Sequence, residues 1–90
     1  MTTTQQIIDD MDNLRHMLGA TEQHKPKSWG FRNHFDARGA GNNNLASMKR
    51  LQALGLVAVH PAAPGLFRAT GAGCRALGFN AAQTKRALEC

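Results

Sequence analysis

Ile7, Met11, Leu14 and Leu18 recur at i, i+4, i+7 and i+11, with Ile8 and Met17 widening the stripe. This spacing predicts an amphipathic helix capped by Thr3 or Thr4 and running to about Leu18. Its acids, Asp9, Asp10 and Asp12, come early and Arg15 and His16 come late. That order suits the helix dipole, which rewards each well-placed charge with roughly 0.3–1 kcal/mol. The acids therefore read as an outward, structural face and not as a metal site. Gly19 ends the helix, and the polar stretch 20–28, interrupted by Pro26, reads as a loop. Trp29 then opens a segment in which Phe31 and Phe35 stand four apart. A short second helix over 29–37 is predicted, with the three aromatic residues in the core and Arg32, Asn33 and His34 facing outward.

Gly39 and Gly41 break that helix, and Asn42, Asn43 and Asn44 offer capping side chains for a third. In it Leu45, Met48, Leu51 and Leu54 recur every three residues, while Lys49, Arg50 and Gln52 point elsewhere. Gly55 is placed to stop it, because glycine reaches the left-handed conformation without a Cβ clash. Residues 56–60 and 66–70 can both run as strands, joined by a turn over 61–65 that contains two prolines and a glycine. Thr70 can start a short helix through Leu77, and Asn80 followed by Gln83 matches a capping box for a last helix containing Ala81, Ala82, Ala87 and Leu88. The predicted fold class is mainly α with a small β-hairpin, in the order α-α-α-β-β-α-α, as one domain over residues 1–90.

Ninety residues suffice for one small core but not for a deep catalytic cavity, so a binding surface is expected instead of a pocket. No apolar run approaches the roughly 18 residues of a membrane span, and the opening residues lack the pattern of a secretion signal. A cytoplasmic protein without a membrane partner is the expectation. Cys74 and Cys90 form no paired motif and are expected to be free thiols.

The net charge of +5 is distributed unevenly. Up to residue 24 the chain holds Asp9, Asp10, Asp12 and Glu22 against Arg15 alone. From residue 25 to 86 it holds Lys25, Lys27, Arg32, Arg38, Lys49, Arg50, Arg68, Arg75, Lys85 and Arg86 against Asp36 alone. A basic body of this kind attracts polyanions or an acidic protein surface.

Catalytic patterns are not found. Ser28 and Ser47 sit in no nucleophile elbow, and neither Gly-Ala-Gly run continues into a phosphate-binding loop. The four histidines and two cysteines have no zinc-type spacing, so neither metal nor other cofactor is expected. Nucleic-acid contacts have a clearer candidate set. A third helix lying in a major groove would present Asn43, Asn44, Ser47, Lys49 and Arg50, since asparagine can bond adenine edges, arginine guanine edges, and lysine phosphates. Arg32, Arg38 and Arg68 would add backbone contacts.

From Asn43 to Leu77 the chain resembles bacterial winged-helix proteins. The likeness lies in Leu51-x-x-Leu54-Gly55-Leu56-Val57 before the hairpin and Leu66-Phe67-x-Ala69-Thr70-x-x-Gly73 after it. It implies that the third helix is the recognition helix and that Pro61 to Gly65 form the wing tip, although this tip carries no cation. The whole chain also looks like small proteins of tailed bacteriophages and prophages, through Leu14-Arg15-His16-Met17-Leu18-Gly19, Arg32-Asn33-His34-Phe35 and Ala69-Thr70-x-x-Gly73-Cys74. That likeness implies a non-enzymatic accessory role in the bacterial host cytoplasm. Two expectations follow: a DNA-binding regulator, or an anti-CRISPR type of inhibitor that binds an acidic or nucleic-acid-associated host protein complex. The apolar side of the first helix exceeds what a small core can hide, and a homodimer through it is also expected.

Overall fold

The computed structural model describes residues 2–38 and 44–90. Among them, helices α1 (Thr4–Met17), α2 (Asn44–Ala53), α3 (Gly71–Ala76) and α4 (Ala81–Leu88) accompany strands β1 (Phe35–Asp36), β2 (Val57–Val59) and β3 (Leu66–Ala69). A 3-10 turn, Pro26–Ser28, lies between α1 and β1. The fold is mixed α with a small antiparallel sheet in the order β1-β3-β2.

Three helix starts form as their sequences predict. The Thr3 hydroxyl accepts from the Gln6 N–H while the Gln6 side chain accepts from the Thr3 N–H, a reciprocal pair that satisfies two otherwise orphaned donors. Asn80 and Gln83 repeat the device at α4. Thr70 caps α3 through the Gly73 N–H, and its own hydroxyl donates to the Gly55 carbonyl, which ties α3 to the end of α2. Gly55 adopts φ 76°, as the stop after α2 requires.

The segment 29–37 departs from the predicted helix. Gly30 has φ 90°, its N–H bonds the Leu18 carbonyl, and a Cβ there would come within 2.6 Å of the Gln83 carbonyl oxygen. The chain is thereby turned out of helical geometry and runs extended into β1, where Phe35 pairs with Phe67 and Asp36 with Leu66. The order α-α-α-β-β-α-α is corrected accordingly: a strand replaces the second helix, and the hairpin becomes a three-stranded sheet. The spacing of Phe31 and Phe35 misled because Phe35 alternates with neighbours in a strand. Phe35 and the half-buried Trp29 do join the core, whereas Phe31 is 43% exposed and lies against His24.

Asn33, expected to face outward, is buried. The register that sets Phe35 opposite Phe67 also sets residue 33 opposite Ala69. At that rung the Asn33 side chain replaces the backbone ladder: Oδ1 accepts from the Ala69 N–H at 2.7 Å and Nδ2 donates to the Ala69 carbonyl at 3.1 Å. Nδ2 also donates to the Ala87 carbonyl at 3.1 Å, joining α4 to the sheet. Around this point Leu14, Met17, Leu18, Met48, Leu51, Val57, Phe67, Cys74 and Ala87 close the core. Both cysteines are free thiols; Cys74 is buried, and burial pushes its thiol pKa up. Among the described residues no helix is long and apolar enough to cross a membrane.

Asn33→Leu keeps the volume but leaves buried backbone groups of Ala69 and Ala87 unsatisfied, each worth roughly 1–3 kcal/mol. Urea denaturation is expected to show a loss of about 3 kcal/mol or more, a large share of the roughly 5–15 kcal/mol available to a small domain. A loss within about 0.5 kcal/mol, the ordinary range for surface substitutions, would remove Asn33 from this role.

Candidate functional site

The predicted contact residues separate into structural and exposed groups. Arg50 reaches from α2 to Asp10 on α1 with two parallel bonds, Nε to Oδ2 at 2.8 Å and Nη2 to Oδ1 at 2.7 Å. Asp10 is buried, so the outward acidic face expected of the first helix comprises Asp9 and Asp12 but not Asp10. Ser47 is buried beside this pair, accepts from Asn13 Nδ2 at 2.9 Å and hydrogen-bonds the Asp10 carboxylate. Ser47 and Arg50 thus join α1 to α2 instead of standing on an open face. The sequence signal for this was present but easily missed: Asp10 sits between Met17 and Leu14 around the helix, on the side that α1 turns inward.

The remaining arginines of the set are also engaged. Arg32 donates Nε and Nη2 to the His16 carbonyl at 3.1 and 2.7 Å, closing the C-terminal end of α1. Arg38 forms a two-bond pair with Asp36 at 2.9 Å for each bond, which lowers the Asp36 pKa to about 2. Arg68 donates to the Leu88 carbonyl at 3.1 Å, at the C-terminal end of α4. Asn43 lies outside the described residues. Asn44 and Lys49 are exposed on α2, and Lys49 makes no hydrogen bond or ion pair among the described residues. Among those residues, the third-helix face therefore carries a single unneutralised cation.

Unneutralised positive charge gathers at α4. Arg86 Nη1 holds the Lys27 and Trp29 carbonyls at 2.7 and 2.9 Å, and Gln83 Nε2 holds the Pro26 carbonyl at 2.8 Å. These bonds bring the loop that carries Lys25 and Lys27 against one flank of the helix. On the other flank, Arg75 of α3 and Lys85 of α4 line a groove of about 610 Å³ whose apolar surface comes from Phe79 and Leu88. Lys25, Lys27, Arg75 and Lys85 make no hydrogen bond or ion pair among the described residues, while Arg68 and Arg86 bond only carbonyls and keep their charge. Glu89 is the acid beside them. The opposite pattern holds toward α1, where Arg15, Arg38 and Arg50 are matched by Asp12, Asp36 and Asp10.

A broader open groove of about 1240 Å³ lies between α1 and β1, lined in part by His16, His24, Arg32, His34, Glu22 and Asp36. Acids and bases mix there without one sign dominating. A comparison with family models, with curated proteins and with solved structures finds no match to this chain. The functional reading therefore rests on the surface itself.

Burial is the largest influence on Asp10 and acts to raise its pKa, but the bonds from Arg50 and Ser47 together outweigh it and hold the pKa below the ordinary 3.8. A carboxylate lowered on folding stabilises the native state above its unfolded pKa, and that stabilisation disappears as pH falls through the folded value. Asp10→Asn is expected to be less stable than the parent at neutral pH, with the difference narrowing below pH 3.8. Thermal unfolding across that range tests this, and a difference that stays constant with pH contradicts it.

Proposed function

We propose that this chain is a small non-enzymatic nucleic-acid-binding protein of the winged-helix type, whose affinity comes mainly from the cationic ridge at α4. The observation that carries the reading is the segregation of charge: aspartates neutralise the arginines near α1, while Lys27, Arg68, Arg75, Lys85 and Arg86 gather around α4 against Glu89. Phosphate backbones are recognised by such clusters through release of condensed counterions, and this binding carries little sequence information by itself. The winged-helix assignment is supported by the sheet order β1-β3-β2 and by a β2-β3 hairpin that follows α2 through Gly55. Among the described residues α2 alone stands between β1 and β2, and its exposed Asn44 and Lys49 supply any groove contact.

A second reading is a phage-type accessory protein that binds a bacterial host protein or defence complex in the cytoplasm, as an anti-CRISPR inhibitor does. It is supported by exposed apolar side chains at one end of the α1–α2 pair. Asp10 with Arg50 and Asn13 with Ser47 define an antiparallel register that brings the start of α1 beside the end of α2. Ile7, Ile8 and Leu54, 52%, 49% and 71% exposed, stand at these neighbouring ends.

Fluorescence anisotropy against a mixed-sequence duplex distinguishes the two. Under the first reading, affinity falls steeply with salt, and the triple change Lys27→Gln, Arg75→Gln, Lys85→Gln flattens the log–log salt slope by about 0.9 for each phosphate contact removed. Lys49→Ala changes the slope by no more than one such contact. Absence of binding at low salt, or a slope untouched by the triple change, removes the ridge as a nucleic-acid surface and favours the protein-partner reading.

A further inference from the structure

The groove beside α4 has a counterpart elsewhere on the same chain. Its apolar lining, Phe79 and Leu88, is flanked by Arg75 and Lys85, with Glu89 at the C-terminal end of α4. The outer surface of α1 carries the inverse set. Ile8 is 49% exposed, Asp12 lies one turn further along the same side, Asp9 is adjacent, and Arg15 follows toward the C-terminus. When the two helices run parallel the sequence of signs matches: Ile8 meets the apolar lining near Ala81, Asp12 meets Lys85, and Arg15 reaches the end that holds Glu89. The match requires acids early and a cation late in α1, and a cation before an acid in α4, as both sequences have.

We propose that α1 of one copy docks in the α3–α4 groove of a second copy, so that the chain associates head to tail. The expected symmetric contact of α1 with α1 fits the charges less well. It would bring Asp9 and Asp12 of one copy toward the same residues of the other, and like charges across an interface disfavour it. A head-to-tail contact uses two different patches, so each copy retains one free patch and can add a further copy unless the assembly closes into a ring. Because the groove contains Arg75 and Lys85, the docked helix covers cations that the proposed nucleic-acid reading assigns to phosphate. Self-association does not depend on that reading and is measured without nucleic acid.

Sedimentation velocity of the full-length chain provides the test, at about 0.01 M salt, where charge interactions extend to roughly 30 Å, and again at about 1 M, where they extend to roughly 3 Å. The weight-average mass is expected to rise with protein concentration at low salt and to fall toward the monomer at high salt. Lys85→Glu alone and Asp12→Lys alone are each expected to weaken association by about tenfold. Asp12→Lys combined with Lys85→Glu restores the pair with its signs exchanged and is expected to recover most of that loss. A monomer at every concentration overturns the proposal. So does an association that both single charge reversals leave unchanged, which points to an apolar α1–α1 dimer, or a double variant no stronger than the weaker single one.

Discussion

The buried amide of Asn33 is the constraint on which the arrangement depends. Extended backbone arriving from the loop cannot complete its ladder with β3, since strand pairing begins only at Phe35. An asparagine side chain carries both a donor and an acceptor, and here it satisfies the N–H and the carbonyl of Ala69 at the rung that backbone would otherwise occupy. Its second donated bond, to Ala87, fixes where α4 ends relative to the sheet. Loss of any of these bonds inside the core would leave polar groups without water, which makes the position of the loop, β1 and α4 a joint property. Asp, lacking the amide donor, could not make the same set, and an apolar side chain could make none of it.

Arginine performs a related task at the surface. Arg32, Arg68 and Arg86 each bind carbonyls at the ends of segments: the close of α1, the close of α4, and the loop before β1. The guanidinium group suits this, because several donors in a fixed plane can bridge segments that share no regular ladder. A carbonyl does not neutralise the charge, however, so the residues that join segments also contribute to the external field. Where an aspartate is the partner, as for Arg38 and Arg50, the field is cancelled locally. The consequence is a molecule whose net positive charge is concentrated at the C-terminal helices, although its cations are spread along the sequence.

Much of the fold is legible in the amino-acid order alone. Periodicity identifies α1 and α2, the glycine after α2 marks its stop, and the caps at Thr3, Thr70 and Asn80 occur where short-range chemistry places them. These features are local, which is why sequence reveals them. Strand β1 is not local: its two residues are strand only because β3 lies alongside, and aromatic spacing across Gly30 imitates a helix. The contact residues are less legible still. Exposure of Ser47 and Arg50 depends on a partner 34 to 40 residues away, as does the burial of Asp10. Conversely, the capping box that fixes the phase of α4 could have indicated that Lys85 faces outward, and the density of cations from residue 75 to 86 is visible in the chain itself.

The cations around α4, and not those on α2, form the principal interface in this account. Two-dimensional amide NMR of the labelled protein titrated with a short duplex measures this most directly, because it locates binding without altering any side chain. The predicted result is salt-sensitive displacement of amide signals from Ala81 to Leu88, from the loop around Lys27 and near Arg75, with smaller changes along α2. Displacements confined to Asn44 through Ala53, or none at any salt concentration, would contradict it.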